Sequence, residues 1–124
     1  MSDFIEVKDP RGVKIYCTKS QWNQHIVSEE TGHPMMADNV DAVVATISKP
    51  DYIYESHDSD PPLDYREVFS KRVESATYYS SSIPFTKVVV SVVGGSGEII
   101  TAYPARNATG GTIGEAIYCA DNEI

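Results

Sequence analysis

Two of the three histidines in this chain lie within nine positions of each other, close to its only tryptophan. His25 follows Trp22 by three residues, so on a helix the two side chains share a face. His33 comes after the expected end of that helix, where a loop would direct it towards the same region. Histidine changes protonation near neutral pH, and such a pair therefore predicts general acid/base chemistry.

Each of these histidines also has a purely structural interpretation. A helical histidine beside a tryptophan is typical of a half-buried structural residue, which applies to His25. For His33 the alternative is a role in the loop or in capping the helix end.

The elements that would position these residues begin with a predicted β-hairpin. Residues 4–8 and 13–18 alternate between apolar and polar side chains on either side of an Asp-Pro-Arg-Gly segment that suits a type I turn. Thr18 and the glutamine three residues later have capping-box spacing, which predicts a helix through about Glu29. Gly32 is expected just past its end.

A second helix is predicted with Asp38 as its cap and Lys49-Pro50 as its stop. Apolar residues between them recur at i, i+3, i+4 and i+7, from Val40 to Ile47, which gives the helix one apolar face.

Strands are predicted for residues 52–55, 72–81, 86–93, 98–103 and 113–119, with a helical turn at 65–73 as an alternative. The 86–93 strand is apolar on both faces, which indicates a central position, whereas 113–119 is predicted at an edge. The fold class expected is α+β, a single domain over residues 1–124 with two N-terminal helices packed on one face of a twisted antiparallel sheet.

Composition is that of an ordinary globular protein, with 41% hydrophobic and 23% charged residues. The longest apolar run, Val88–Val93, is too short to span a bilayer, and the first residues do not resemble a signal peptide. Cys17 and Cys119 are expected to be reduced, which favours the cytoplasm. We expect no cofactor, no metal and no membrane partner; the His57-Asp58-x-Asp60 segment is interpreted as solvated surface.

The net charge is −8, which argues against tight nonspecific binding to nucleic acid. The charge is unevenly distributed: residues 31–70 carry a net −6, whereas residues 71–100 carry a net +1. One surface of the protein is therefore expected to be acidic, and another neutral to basic.

Several short motifs occur in an order that resembles a known nuclease group. They are Trp22-xx-His25-Ile26, His33-Pro34, Ile47-xx-Pro50-Asp51-x-Ile53, Tyr78-Tyr79, Val88-Val-Val and Ile100-Thr-Ala-Tyr103. This order is similar to phage-associated members of the barnase, EndoU, colicin and RelE-like (BECR) nuclease superfamily, over roughly residues 20–105. The resemblance implies helices followed by an antiparallel sheet, and metal-independent RNA cleavage of the kind found in toxins and phage-encoded proteins.

The resemblance also implies roles for individual residues. His25 and His33 would be the acid/base groups, Thr101 a hydrogen-bond donor to a phosphate oxygen, Tyr103 a base-stacking ring, and Lys87 or Arg72 the positive charge. Thr101 has the alternative of being an ordinary β-forming residue. The chain departs from the family pattern at Gly32, where relatives often carry a basic residue, and in its overall acidity.

Three functions follow as hypotheses. The first is an endoribonuclease-like domain that cleaves RNA by acid/base transesterification. The second is a non-catalytic member of the same fold that uses the acidic segment 31–70, including Asp58, Asp60 and Asp64, to bind a basic protein. The third is an enzyme that acts on a nucleotide or another small phosphate.

Overall fold

The computed structural model describes residues 4–30, 32–56, 66–107 and 113–119 of the 124 residues. Within them, seven strands form one sheet in the order β1-β2-β6-β5-β4-β3-β7. The strands are β1 (Ile5–Lys8), β2 (Lys14–Cys17), β3 (Tyr52–Ser56), β4 (Arg66–Arg72), β5 (Phe85–Val93), β6 (Ser96–Ala105) and β7 (Ile113–Cys119). The sheet is mixed, because β2 and β6 run parallel whereas the other neighbours are antiparallel.

The helices of the described residues are short and lie between β2 and β3. Helix α1 (Lys19–Gln21) continues into a π-helical turn at Trp22–Ile26, and a 3-10 turn at Pro34–Asp38 precedes α2 (Val40–Ser48). The protein is therefore mainly β. The expected α+β class, with two N-terminal helices packed on an antiparallel sheet, was wrong.

The first predicted helix is short because the chain folds back on its last turn. The His33 N–H donates to the Ile26 carbonyl at 2.7 Å, and Gly32 lies against the same backbone. A Cβ on Gly32 would be 2.5 Å from the Ile26 carbonyl oxygen and closer still to that of His25. The returning chain thus occupies the space into which the helix would have continued to Glu29.

The cap predicted from the sequence is confirmed for α1 but not for α2. Thr18 caps α1 as predicted, since its hydroxyl accepts from the Gln21 N–H at 3.1 Å. Asn39 rather than Asp38 occupies the cap position of α2, and its side chain makes no capping hydrogen bond to the helix. The predicted stop is confirmed, because α2 ends at Ser48.

The Asn39 side chain joins two segments that the sequence keeps apart. Its Nδ2 donates to the Met35 carbonyl and to the Thr77 hydroxyl, each at 2.8 Å, and its Oδ1 accepts from the Thr77 N–H at 2.8 Å. Residues 73–84 form turns around this attachment, so the predicted strand at 72–81 was wrong. The strand lies earlier, at β4.

Both predicted hairpins are confirmed. The β1–β2 turn closes with a Gly12 N–H to Asp9 carbonyl bond of 2.9 Å. The β5–β6 turn places Gly94 and Gly95 at φ of 65° and 86°, the left-handed region that a tight two-residue hairpin requires. The central position of β5 and the edge position of β7 are also confirmed.

An apolar core fills the space between one face of the sheet and the helical segments. Val43 and Ile47 of α2 pack there with Trp22, Ile26 and Met36, against a row of sheet residues. That row is Ile53, Phe69, Val88 and Ala102, which are neighbours across β3, β4, β5 and β6. No helix among the described residues is long and apolar enough to cross a membrane.

Arg11 covers one end of this core. From the β1–β2 turn its guanidinium reaches the Glu67 carboxylate on β4 at 2.7 Å and that of buried Asp9 at 2.6 Å, and it lies 5.9 Å from the centre of the Phe69 ring. The two carboxylates raise the pKa of Arg11 above its usual range. Two distant strands are held together by this contact.

Candidate functional site

A β-bulge on β6 determines which residues of this strand face away from the core. Ile99 is opposite Val90 and Thr101 is opposite Val89, so Ile100 is the extra residue between these two pairs. The shift places Thr101 and Tyr103 on the sheet face opposite to the apolar core. The expectation that these two side chains share a face is confirmed by the register.

The side chain of Gln21 binds the backbone at this bulge. Its Nε2 donates to the Ile100 carbonyl at 2.9 Å. The parallel pairing of β2 with β6 covers only Ser96 to Glu98, and the π-helical turn that follows α1 also contacts β6. Gln21 thereby supplies a hydrogen bond to a carbonyl that the bulge removes from the regular ladder.

His33 is placed by the same turn that shortens the first helix. It precedes Pro34, which favours an extended backbone, and its φ and ψ are −127° and 86°. Its N–H is bound to Ile26 and its carbonyl accepts from the Met36 N–H at 2.9 Å. The backbone of His33 is thus fixed on both sides, whereas its ring projects to the edge of β6.

The His33 ring contacts Tyr103. The two ring centres are 5.5 Å apart, with a 37° angle between the planes, and both side chains are half-buried. Tyr103 is the direct neighbour of Lys87 on β5, which is only 8% exposed. The structure therefore brings four of the six predicted site residues, His33, Thr101, Tyr103 and Lys87, to one region of β5 and β6.

His25 is in a different environment. In the π-helical turn Trp22 and Ile26 are buried, whereas His25 is exposed. The expectation that His25 shares a face with Trp22 was wrong, because the wider π-helical turn displaces the i+3 side chain. The backbones of the two histidines remain close, since His33 is bonded to the residue that follows His25.

Arg72 belongs to another cluster, at the end of β4. Its guanidinium donates to Glu74 at 3.1 Å and to the Tyr79 hydroxyl at 2.5 Å, and lies 5.4 Å from the Tyr79 ring centre. The hydrogen bond to Glu74 raises the pKa of Arg72. Arg72 pairs with Phe85 rather than with Lys87, so the structure does not place it with His33.

The sequence analysis missed Ser70, which lies next to Lys87 on β4. Tyr52, Ser70, Lys87 and Tyr103 are neighbours across β3, β4, β5 and β6, and we refer to them as the polar row. Ser70 is fully buried, and its hydroxyl has no hydrogen-bond partner among the residues that the structure describes. The sequence pattern predicted this strand at 72–81 rather than at Arg66–Arg72, and it therefore did not indicate that Ser70 pairs with Lys87.

Tyr52 and Tyr54 of β3 lie on the same sheet face as the polar row. Their ring centres are 5.6 Å apart in a stacked arrangement. Burial raises the pKa of Tyr54, and the neighbouring Tyr52 and Cys119 act in the same direction. This side of the sheet is therefore rich in hydroxyl groups with little access to water.

Only part of the acidic segment 31–70, the predicted binding surface for a basic protein, lies within the described residues. Asp58, Asp60 and Asp64, like the His57-Asp58-x-Asp60 segment, lie outside the described residues. Of the described acids, Asp51 pairs with Lys71 at 3.9 Å and Glu67 with Arg11. Within residues 4–30, 32–56, 66–107 and 113–119, no three histidine, cysteine or acidic side chains are grouped as metal ligands would be.

Comparison with known proteins gives no family for this chain. No protein-family model, no curated protein and no solved structure matches it. The resemblance to the BECR nucleases accordingly rests on the sequence motifs.

Proposed function

We propose that this protein cleaves RNA by metal-independent transesterification at the edge of β6. The observation that carries the proposal is the contact between the His33 and Tyr103 rings, beside Thr101 and the nearly buried Lys87. This region contains an acid/base group, an aromatic surface, a hydroxyl donor and a cation. The proposal does not rest on the fold, because the helix-then-sheet order of the nucleases is not the one seen here.

The reaction requires few catalytic groups. A base takes the proton from a ribose 2′-OH, whose oxygen attacks the adjacent phosphorus. The bond from phosphorus to the 5′ oxygen breaks, an acid protonates that oxygen, and a 2′,3′-cyclic phosphate remains. No oxidant, metal or added water takes part in this step.

Each residue has a role that matches its position. His33 acts as one acid/base group, and exposed His25, on the adjoining backbone, acts as the other. Tyr103 stacks on a base, as aromatic side chains on sheets do in single-stranded RNA binding. Thr101 donates to a phosphate oxygen, and Lys87 supplies positive charge.

The test is cleavage of mixed RNA in the presence of EDTA by the wild type and by His33→Ala, His25→Ala and Tyr103→Phe. We expect the wild type to cleave the RNA. His33→Ala should lose this activity, whereas Tyr103→Phe should retain it, because the phenylalanine ring still stacks. The third histidine provides a matched control, and His57→Ala should cleave normally.

Melting temperatures of all variants are measured in parallel, so that loss of folding is separated from loss of chemistry. Equal activity of His33→Ala and the wild type would disprove the role of His33. Intact RNA in every reaction would contradict the proposal and favour the non-catalytic, protein-binding alternative.

A further inference from the structure

The β1 strand lies at one end of the sheet, with a neighbouring strand on one side only. That neighbour is β2, and the described residues place no strand beyond β1. The Asp9 N–H donates to the Val13 carbonyl at 3.0 Å, and hydrogen-bonded pairs alternate along an antiparallel ladder. Val7 therefore directs its backbone groups towards β2, whereas Glu6 and Lys8 direct theirs outwards.

The outward backbone groups of Glu6 and Lys8 are open to another strand. Within residues 4–30, 32–56, 66–107 and 113–119, no group is hydrogen-bonded to them. Both side chains are exposed as well. An open edge of this kind is where a further strand is added to a sheet.

The two outward positions carry opposite charges. Lys8 is directly opposite Lys14 of β2, and Lys14 forms an ion pair with Glu6 at 3.3 Å. Among the described residues, no carboxylate forms an ion pair with Lys8. Charges on an edge strand normally keep other chains away. One acid and one base at the two outward positions instead make this edge complementary to a second copy of itself.

The backbone and the charges select the same antiparallel register between two copies of β1. Pairing Glu6 with Glu6, or Lys8 with Lys8, places like charges opposite each other, which is unfavourable. A register shifted by one residue brings outward backbone groups against inward ones. Pairing Glu6 of each copy with Lys8 of the other joins outward groups to outward groups and opposite charges to each other. Val7 then faces Val7 of the second copy, at the closer, non-hydrogen-bonded position.

We propose that the β1 edge binds a second copy of this chain, in an antiparallel β1–β1 pair related by a two-fold axis. The contact closes on itself, because both copies use the same strand. Each Glu6–Lys8 pair exchanges two N–H···O bonds across the interface. Since β1 has only 4 residues, we expect a weak dimer whose population depends on protein concentration.

The experiment is sedimentation velocity from micromolar to millimolar protein, at about 0.15 M ionic strength to screen the repulsion between two chains of net charge −8. The wild type should shift from monomer towards dimer as its concentration rises. Lys8→Glu should weaken association about tenfold or more, because the new carboxylate faces Glu6 of the second copy. Within its own chain this substitution faces Lys14, so the fold should be retained.

Two further variants make the test specific to the proposed register. Exchanging the charges, with Glu6→Lys and Lys8→Glu together, should restore the wild-type association. Lys49→Glu is the matched control, because it makes the same change of charge at an exposed position just before β3, near the opposite edge of the sheet. It should dimerise as the wild type does. A monomeric wild type at millimolar concentration would overturn the proposal, as would equal association of Lys8→Glu and the wild type.

Amide hydrogen exchange of the wild type is the second measurement and requires no variant. The Glu6 and Lys8 amides should exchange more slowly as protein concentration rises, whereas the Val7 amide, which points to β2, should be unaffected. Exchange at Glu6 and Lys8 that is independent of concentration would contradict the β1–β1 pair. RNA is absent from both measurements, so this proposal and the proposed cleavage can fail independently.

Discussion

The two faces of the central sheet are both largely buried, but they differ in what the buried side chains can do. On one face Phe69 and Val88 pack with α2 in an apolar core. On the other face the polar row places Ser70 and Lys87 side by side. Burial on the first face is favourable by itself, whereas burial on the second is favourable only if each polar group has a partner. Chemistry is therefore expected on the second face.

The largest expected effect is on the apolar face. Phe69→Ala removes a fully buried ring beneath Arg11 and should lower the free energy of unfolding by about 3–5 kcal/mol. Urea denaturation measures this change. Phe4→Ala is the control, because Phe4 is 40% exposed and should cost clearly less. Equal losses for the two variants would mean that the Phe69 side of the sheet is not the main core.

The next effect concerns the turn that presents His33 to the polar face. Gly32→Ala forces a methyl group against the carbonyls of His25 and Ile26 and should cost about 2–3 kcal/mol. Urea denaturation measures the loss, and the ring signals of His33 and Tyr103 should shift because the turn must open. Unchanged stability would contradict the close approach. The same constraint explains why a basic residue does not fit at this position.

A smaller effect is expected where Gln21 binds the bulge. Gln21→Ala removes the hydrogen bond to the Ile100 carbonyl and should cost about 1 kcal/mol. Amide spectra should show the largest changes at Thr101 and Tyr103. The exposed Gln24 on the same segment gives the control, since Gln24→Ala should leave those signals in place. If the Thr101 and Tyr103 signals are unaffected in Gln21→Ala, the bulge does not depend on the Gln21 side chain.

Ser70→Ala should have the opposite sign. The substitution removes a buried hydroxyl that has no hydrogen-bond partner among the described residues, and it should raise the free energy of unfolding by up to about 1 kcal/mol. Thr46→Val, which removes a buried hydroxyl that has a partner, should lower it by about the same amount. Chemical denaturation of both variants compares them directly. Loss of stability in Ser70→Ala would indicate that its hydroxyl is already bonded.

The effect that is smallest near neutral pH is the dependence of stability on the ionisation of two tyrosines. Burial raises the pKa of Tyr78, although its hydrogen bond to Thr86 opposes the shift, and burial also raises that of Tyr54. Each raised pKa favours the neutral form in the folded state. Their contribution is therefore complete below the unfolded value of about 10 and is lost as pH rises through the folded value.

Stability should thus decline above about pH 10, and Tyr78→Phe and Tyr54→Phe should each reduce that decline. Urea denaturation across the alkaline range measures it for the wild type and both variants. An identical decline in all three proteins would assign the titration to other groups.

Local signals in the sequence predicted local structure well. Both hairpins, the Thr18 cap, the α2 stop and the central position of β5 follow from turn residues and apolar patterning, which act over a few positions. The fold class was wrong because two decisive interactions are long-range. The β2–β6 parallel pairing and the Asn39–Thr77 bonds join residues far apart in the chain, and no short-range pattern encodes them.

The candidate site divides in the same way. The sequence by itself determined that His33, Thr101, Tyr103 and Lys87 are present, and that Thr101 and Tyr103 share a face by their spacing of two. Only the tertiary structure decided which face that is, because one extra residue at Ile100 reverses the direction of every later side chain on β6. It likewise decided that Ser70 lies beside Lys87, since strand register depends on the packing of the whole sheet.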